Sequence, residues 1–240
     1  GEKLALVRKQ IAEAKKKHAE SKHVYDSYKT KISDFKLDTL SEEDEQFSVE
    51  MELQKMLKDY DGKTKVDKVE ADSMIASFQE KLEQYQKSCE SRLNTEIDNR
   101  IFHKCEEMLA DYTAMIRSIL ANIEIEGFDF KRISKFDKIK ISNINDIKKK
   151  NEQTRYRDET RWKDNPERQG FFGKFKFWKP KEISYTVSVK DGIDVNVKNI
   201  IVDIMSVFSA SIKENISSMF SQSEEQISDY KVAFNENIDT

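Results

Sequence analysis

Glycine and proline are scarce in this chain: 6 Gly and 2 Pro in 240 residues. So few punctuators leave little room for a many-turned β-fold. A phosphate-binding loop needs a first glycine five residues before Gly-Lys-Thr, so that backbone amides can ring the phosphates. Asp61-Gly62-Lys63-Thr64 has only the second half of that motif. Position 57 is Leu57 and no strand pattern precedes it, so the tetrapeptide reads as a helix-ending turn. Cysteine is equally sparse. Cys89 and Cys105 stand far apart and outside any C-x-x-C unit, which excludes a disulfide framework and suggests reduced thiols in a reducing, cytoplasmic setting. Long apolar runs are missing, so no transmembrane helix is expected, and the first residues have no signal-peptide pattern. The chain starts at Gly1 rather than Met and reads as a piece of a longer protein. Net charge is only -3, so bulk charge selects no partner.

Charge and helical periodicity, by contrast, are plentiful. Charged residues make up 36% and hydrophobic ones 37%, a balance that suits long helices with one apolar stripe and wide solvated faces. Leu4, Val7, Ile11, Ala14, His18, Ser21, Tyr25, Tyr28, Ile32 and Phe35 alternate steps of three and four, a heptad-like face. The stretch 33–41 breaks it. Ser41, with Asp44 three residues on, has the form of a capping box opening a second helix. Phe47, Met51, Leu57 and Tyr60 mark its expected buried face, and Asp61-Gly62 its end.

A third helix is expected from about Val66 to about Ile123, ended by Gly127. Its stripe is Phe78, Leu82, Tyr85, Cys89, Leu93, Ile97, Ile101, Cys105, Met108, Tyr112, Ile116, Ile119 and Ile123. The mean step is about 3.75 residues, the period of an almost straight bundle, and the rod would be about 85 Å long. Residues 128–142 could hold short strands or a broken helix, and 143–181 read as a polar, basic loop. Ile183 to Val189 alternates apolar and polar with β-branched residues, a strand pattern. Asp191-Gly192 reads as a turn and Asp194 as a helix cap. A last helix carries Val197, Ile201, Ile204, Phe208, Ile212, Ile216, Met219, Ile227, Tyr230, Phe234 and Ile238, and its similar period and length suggest antiparallel packing on the third.

The small net charge hides an asymmetry. Residues 131–181 hold about 17 Lys and Arg against about 7 acids, so the remainder is strongly acidic. Inside that basic stretch lies Gly170-Phe-Phe-Gly-Lys-Phe-Lys-Phe-Trp-Lys-Pro180. Phe171, Phe172, Phe175, Phe177 and Trp178 suit the headgroup boundary of a bilayer, and Lys174, Lys176, Lys179 and Lys181 suit its anionic phosphates. Two other readings stay open. The aromatics could plug one end of the bundle while their lysines snorkel out, or they could stack the bases of a single strand, which the acidic remainder of the chain opposes.

Catalytic and metal-binding patterns do not assemble. His18 and His23 are five apart and share no helix face, and His103 beside Cys105 lacks further ligands. No nucleophile elbow surrounds any Ser or Cys. Glu42-Glu43 and Glu106-Glu107 read as solvated helix surface, and Asn215-Ile-Ser217 as a chance glycosylation sequon.

Two long helices flanking a basic aromatic loop, then Tyr185-Thr-Val-Ser-Val189, Lys190-Asp-Gly and a long striped helix, resemble the helical stalk of bacterial dynamin-like proteins, the large membrane-associated GTPases. The resemblance covers about residues 60–240, and the GTPase domain is absent from it. It implies a non-catalytic stalk that self-associates or pairs with a dynamin-like partner and touches an anionic membrane peripherally, through Phe171 to Lys181. GTP and Mg would belong only to a GTPase domain of a longer parent. The expected fold is mainly α: one elongated antiparallel bundle of about four helices over 1–240, with 143–181 as its tip and short strands near 128–142 and 183–189. No nucleic-acid partner is expected. A coiled-coil adaptor without lipid binding, or a long-helix pore-forming toxin, would share the layout.

Overall fold

The computed structural model describes residues 2–37, 40–120, 136–166 and 180–239, with side chains through residue 236. The described chain is mainly helical, as the periodicity predicts, with a small three-stranded antiparallel sheet. In order the elements are α1 (Glu2–Ser33), α2 (Glu42–Leu57), a 3-10 turn (Lys58–Tyr60), β1 (Val66–Asp67), α3 (Lys68–Ile97), a π-helical turn (Asp98–His103), α4 (Lys104–Ile119), α5 (Ile144–Lys150), β2 (Glu152–Asp164), β3 (Glu182–Val195) and α6 (Val197–Asp239). From α3 through the π turn to α4 the helix runs on without interruption for 52 residues.

Local chemistry sets the boundaries. Ser41 caps α2, its Oγ accepting from the Asp44 amide at 3.4 Å and its carbonyl from the Glu45 amide. Gly62 takes φ +80, a conformation that costs glycine nothing, and turns the chain after Tyr60. The Asp67 carboxylate accepts from the Val69 amide at 3.0 Å where α3 starts. For α6 the cap is Asn196, whose Oδ1 accepts from the Asn199 amide at 3.1 Å; Asp194 lies inside β3 and does not cap.

The π turn answers a feature of the sequence. Cys89, Leu93, Ile97, Ile101 and Cys105 recur every fourth residue, and all five are buried. Four residues turn an α-helix through about 400°, so each step would carry the stripe about 40° round the axis. The wider π turn takes up the excess and keeps the stripe in line.

The chain divides into two compact units, and α2, α3 and α6 contribute to both. Unit 1 comprises Gly1–Met51, Glu83–Ile139 and Ser209–Thr240. Here Tyr28 meets Tyr112 edge-on at 5.4 Å, Tyr112 meets Phe234 at 5.5 Å, and Phe35 meets Tyr230 at 6.3 Å. The Tyr230 hydroxyl donates to the Cys105 carbonyl at 3.0 Å. Position 105 thus faces 230 and 112 faces 234, so α6 runs parallel to α4, whereas α1 runs against both. Glu42 and Gln46 meet Ser217, and Glu50 meets Lys213, so α2 also opposes α6.

Unit 2 comprises Glu52–Leu82 and Lys140–Phe208. Its sheet order is β1-β3-β2. Val66 pairs with Val195, and α3 and α6 each start two residues beyond that pair. It is the parallel course of α4 and α6 within unit 1 that corrects the antiparallel expectation. The core is Val66, Ala71, Ile75, Phe78, Ile147, Val195, Val197, Ile200, Ile201 and Ile204, all buried.

Three further expectations change. Phe47 and Met51 are 62% and 57% exposed, and α2 buries Val49 and Leu53 instead. The long helix ends at Ile119, where Leu120 turns extended, before the expected Ile123; Ile123 and Gly127 lie outside the described residues. Residues 136–142, the described part of 128–142, contain no strand. Their backbone is held by side chains: the Asp137 carbonyl accepts from Gln86 and Asn215, each at 3.0 Å, and the Asp137 amide donates to Asn215 Oδ1.

Candidate functional site

The stretch 143–181, expected to be loop, contains α5 and the 13-residue strand β2. β2 pairs antiparallel with β3 at every position from Glu152↔Val195 to Asp164↔Glu182, making a two-stranded ribbon about 40 Å long. β1 covers β3 only at Asp194 and Val195. Beyond that root both outer edges of the ribbon lack a strand partner among the described residues.

The root is firmly tied. The Asn196 amide donates to the Asn151 carbonyl at 3.0 Å, and Lys68 pairs with Glu152 at 2.8 Å. Asp191-Gly192 is not a turn. It is a bulge in β3, where Arg155 opposes Gly192 and Tyr156 opposes Lys190, leaving Asp191 as the extra residue. Arg155 spans the bulge, donating from Nε to Asp191 at 3.1 Å and from Nη1 to Asp194 at 2.8 Å. A Cβ at position 192 would lie 2.9 Å from Arg155 Nη2, so a residue without a side chain lets the guanidinium lie across the strand.

Residues directly opposite one another share a face. One face therefore carries Arg157, Glu159, Arg161 and Lys163 with Val189, Val187, Tyr185 and Ile183. The other carries Tyr156, Asp158, Thr160 and Trp162 with Lys190, Ser188, Thr186 and Ser184. Neither face holds a buried residue: Tyr156 and Trp162 on the second are both 65% exposed, and on the first Tyr185 is 40% exposed while Ile183, Val187 and Val189 are half-buried. On the first face Glu159 accepts from Arg157 at 2.9 Å and from Arg161 at 3.4 Å, and these hydrogen bonds hold its carboxyl below the usual range. Lys163 Nζ stands 5.2 Å from the centre of the Tyr185 ring.

β2 itself is balanced, four basic residues against four acids. The connection 165–181 is not: Arg168, Lys174, Lys176, Lys179 and Lys181 face only Glu167. This connection leaves from the end of the ribbon away from its root. The last strand pair is Asp164↔Glu182, and beyond it the Asn165 amide donates to the Lys181 carbonyl at 2.8 Å and Asn165 Nδ2 to the Pro180 carbonyl at 3.0 Å. Of the membrane-contact residues expected from sequence, Lys181 is described, exposed and beside the last pair. Phe171, Phe172, Lys174, Phe175, Lys176, Phe177, Trp178 and Lys179 lie outside the described residues. Sequence reasoning missed the partner strand and with it Tyr156 and Trp162; the alternation of Thr154, Tyr156, Thr160 and Trp162 was the available signal.

Among the described residues no group of His, Cys, Asp and Glu could hold a metal ion, and no helix is long and apolar enough to cross a membrane. Cys89 and Cys105 are buried and free; burial raises both thiols, Cys105 to about 12, which keeps them from acting as nucleophiles near neutral pH. At Gly62-Lys63-Thr64 the amides of Lys63 and Thr64 donate to the carbonyls of Tyr60 and Gly62, so they are spent on the turn rather than presented to a phosphate. No family model, no curated protein and no solved structure matches this chain.

Proposed function

We propose that this chain is the non-catalytic stalk and assembly region of a dynamin-like protein, and that the β2–β3 ribbon carries the basic aromatic segment 165–181 to an anionic membrane surface. One observation carries the reading. The chain enters and leaves the segment at the far end of a ribbon whose β2 strand buries no residue between Tyr156 and Asp164, thirteen paired positions along from the pair that holds the buried Val195. A segment meant to plug a helical core has no need of such an arm, whereas a segment meant to reach another surface does.

The energetics suit the task. Each basic residue brought to an anionic leaflet contributes about 1 kcal/mol, and aromatic rings add interfacial burial. Because the charges along β2 balance, attraction would concentrate at the end of the arm. Phe171, Phe172 and Trp178 supply the anchor in this reading, and the lysines supply the preference for acidic lipid. In this reading GTP and Mg would belong to a GTPase domain of a longer parent.

Co-sedimentation with anionic liposomes tests this. The wild-type chain is expected to pellet with phosphatidylserine vesicles, to stay in solution with neutral ones, and to bind less as salt rises. A Phe171→Ser/Phe172→Ser/Trp178→Ser variant is expected to lose binding while keeping its helical circular dichroism. A folded wild type that ignores the vesicles would remove the membrane role and favour a lipid-independent adaptor. Release of vesicle contents by the chain alone would instead favour a pore-forming protein.

A further inference from the structure

α1 joins the packed core only in its last third. Residues 2–20 are exposed throughout, and the first buried residue is Val24. On that open stretch Leu4, Val7 and Ile11 recur at steps of three and four, each between 50% and 60% exposed. A regular apolar stripe held in water marks an interaction surface rather than a solvated face.

The residues beside the stripe narrow the partner. With Leu4 and Ile11 in one heptad position and Val7 and Ala14 in the other, Arg8 and Lys15 border one side and Lys3, Gln10 and Lys17 the other. Pairing α1 with another α1, in either direction, would set cation against cation. The stripe therefore suits an acidic helix with its own open apolar residues.

α2 is such a helix. Six acids and one lysine make up its charge, and Phe47 and Met51, one turn apart, are its exposed apolar pair. Glu43, Asp44 and Glu50 border that pair, Glu50 also touching Lys213. The two patches do not meet within one chain. Ile11 lies about 33 Å of helix before the end of α1, and Met51 only about 13 Å of helix into α2. Both patches belong to unit 1.

We propose that α1 of one copy docks on α2 of a second copy, with Leu4, Val7 and Ile11 against Phe47 and Met51 and with Lys3, Arg8 and Lys15 towards Glu43, Asp44 and Glu50. This deepens the self-association part of the proposed function and rests on it, but not on the membrane part. Every copy carries both halves, so the contact closes as a reciprocal pair or continues head to tail.

Sedimentation velocity in lipid-free buffer tests it on the full chain. Wild type is expected to associate with rising concentration and less strongly at high salt. Leu4→Ser/Val7→Ser/Ile11→Ser and Phe47→Ser/Met51→Ser are each expected to weaken association at least about tenfold. All five positions are exposed, so circular dichroism is expected to stay unchanged. Mixing the two variants is expected to restore a one-to-one complex, since each supplies the half that the other lacks. A wild type monomeric at about 100 µM, association unaltered by either variant, or a mixture that stays monomeric would each overturn the proposal. Vesicle binding is read separately, so either proposal can fail without the other.

Discussion

Cys105 and Tyr230 meet inside unit 1, where the phenol donates to the Cys105 carbonyl and burial keeps both side chains protonated. The thiol is raised from its ordinary 9.0 to about 12, and the phenol rises further from 10.0. In the unfolded chain both titrate near their ordinary values. Above about pH 9 the unfolded state therefore releases protons that the folded state keeps, and stability falls with rising pH. This contribution is complete below pH 9 and is lost progressively as pH climbs towards 12. Urea midpoints at about pH 8, 9.5 and 11 are expected to decline in that order, and Cys105→Ala is expected to flatten the first part of the decline. A midpoint independent of pH over that range would contradict the burial of both groups. Arg155 is decisive in a different way, because it spans the Asp191 bulge and so fixes the register of the whole ribbon at its root.

Among the elements, α2 depends most on its cap. It is short, acidic in its first turn and open on its Phe47 side, so the Ser41 hydroxyl and the dipole-favoured acids carry much of its local stability. Ser41→Ala is expected to cost about 1 kcal/mol, read as a lower urea midpoint with an unchanged slope. The long helix depends instead on packing. Leu93 and Ile97 before the π turn, Ile101 within it and Cys105 after it are almost fully buried, and the four-residue spacing that demands this turn extends from Cys89 to Cys105. The ribbon has neither kind of support beyond its root. A two-stranded ribbon is marginal by itself, and here the cross-strand pairs, the Arg157–Glu159–Arg161 ion pairs and the Lys163–Tyr185 contact stand in for a core.

At the scale of the whole molecule, the ribbon is separable from what holds the helices together. Between Tyr156 and Asp164 no residue of β2 is buried, so its loss uncovers no core. Replacing 157–189 by a short Gly-Ser turn is expected to leave the thermal midpoint of the helical signal within a few degrees of wild type. The same deletion is expected to abolish liposome binding. A collapse of the helical signal would instead mean that the ribbon or its connection is part of the fold's support. Such a modular plan suits a stalk whose helices bear assembly while an appended arm bears membrane contact.

How much was written locally varies along the chain. The stripes of the long helix and of α6 are read from periodicity alone, because a continuous buried seam imposes its period on the sequence. The Ser41 cap and the Gly62 stop are likewise local chemistry. β2 escaped because a strand wet on both faces shows only the weak alternation of Thr154, Tyr156, Thr160 and Trp162, and its charges resemble those of a loop. Phe47 and Met51 were misassigned because α2 bears apolar residues on two sides, and only packing chose Val49 and Leu53 for the interior. The parallel course of α4 and α6 rests on the Cys105–Tyr230 and Tyr112–Phe234 contacts, between residues far apart in sequence that no local pattern encodes. By itself the sequence determined the long helical segments and the Ser41 cap, though not the short α5 or the Asn196 cap of α6, since propensity, periodicity and capping act over a few residues. Tertiary structure alone decided helix direction, the exposed face of α2 and the ribbon that carries the aromatic segment, since these depend on contacts between residues far apart in the chain.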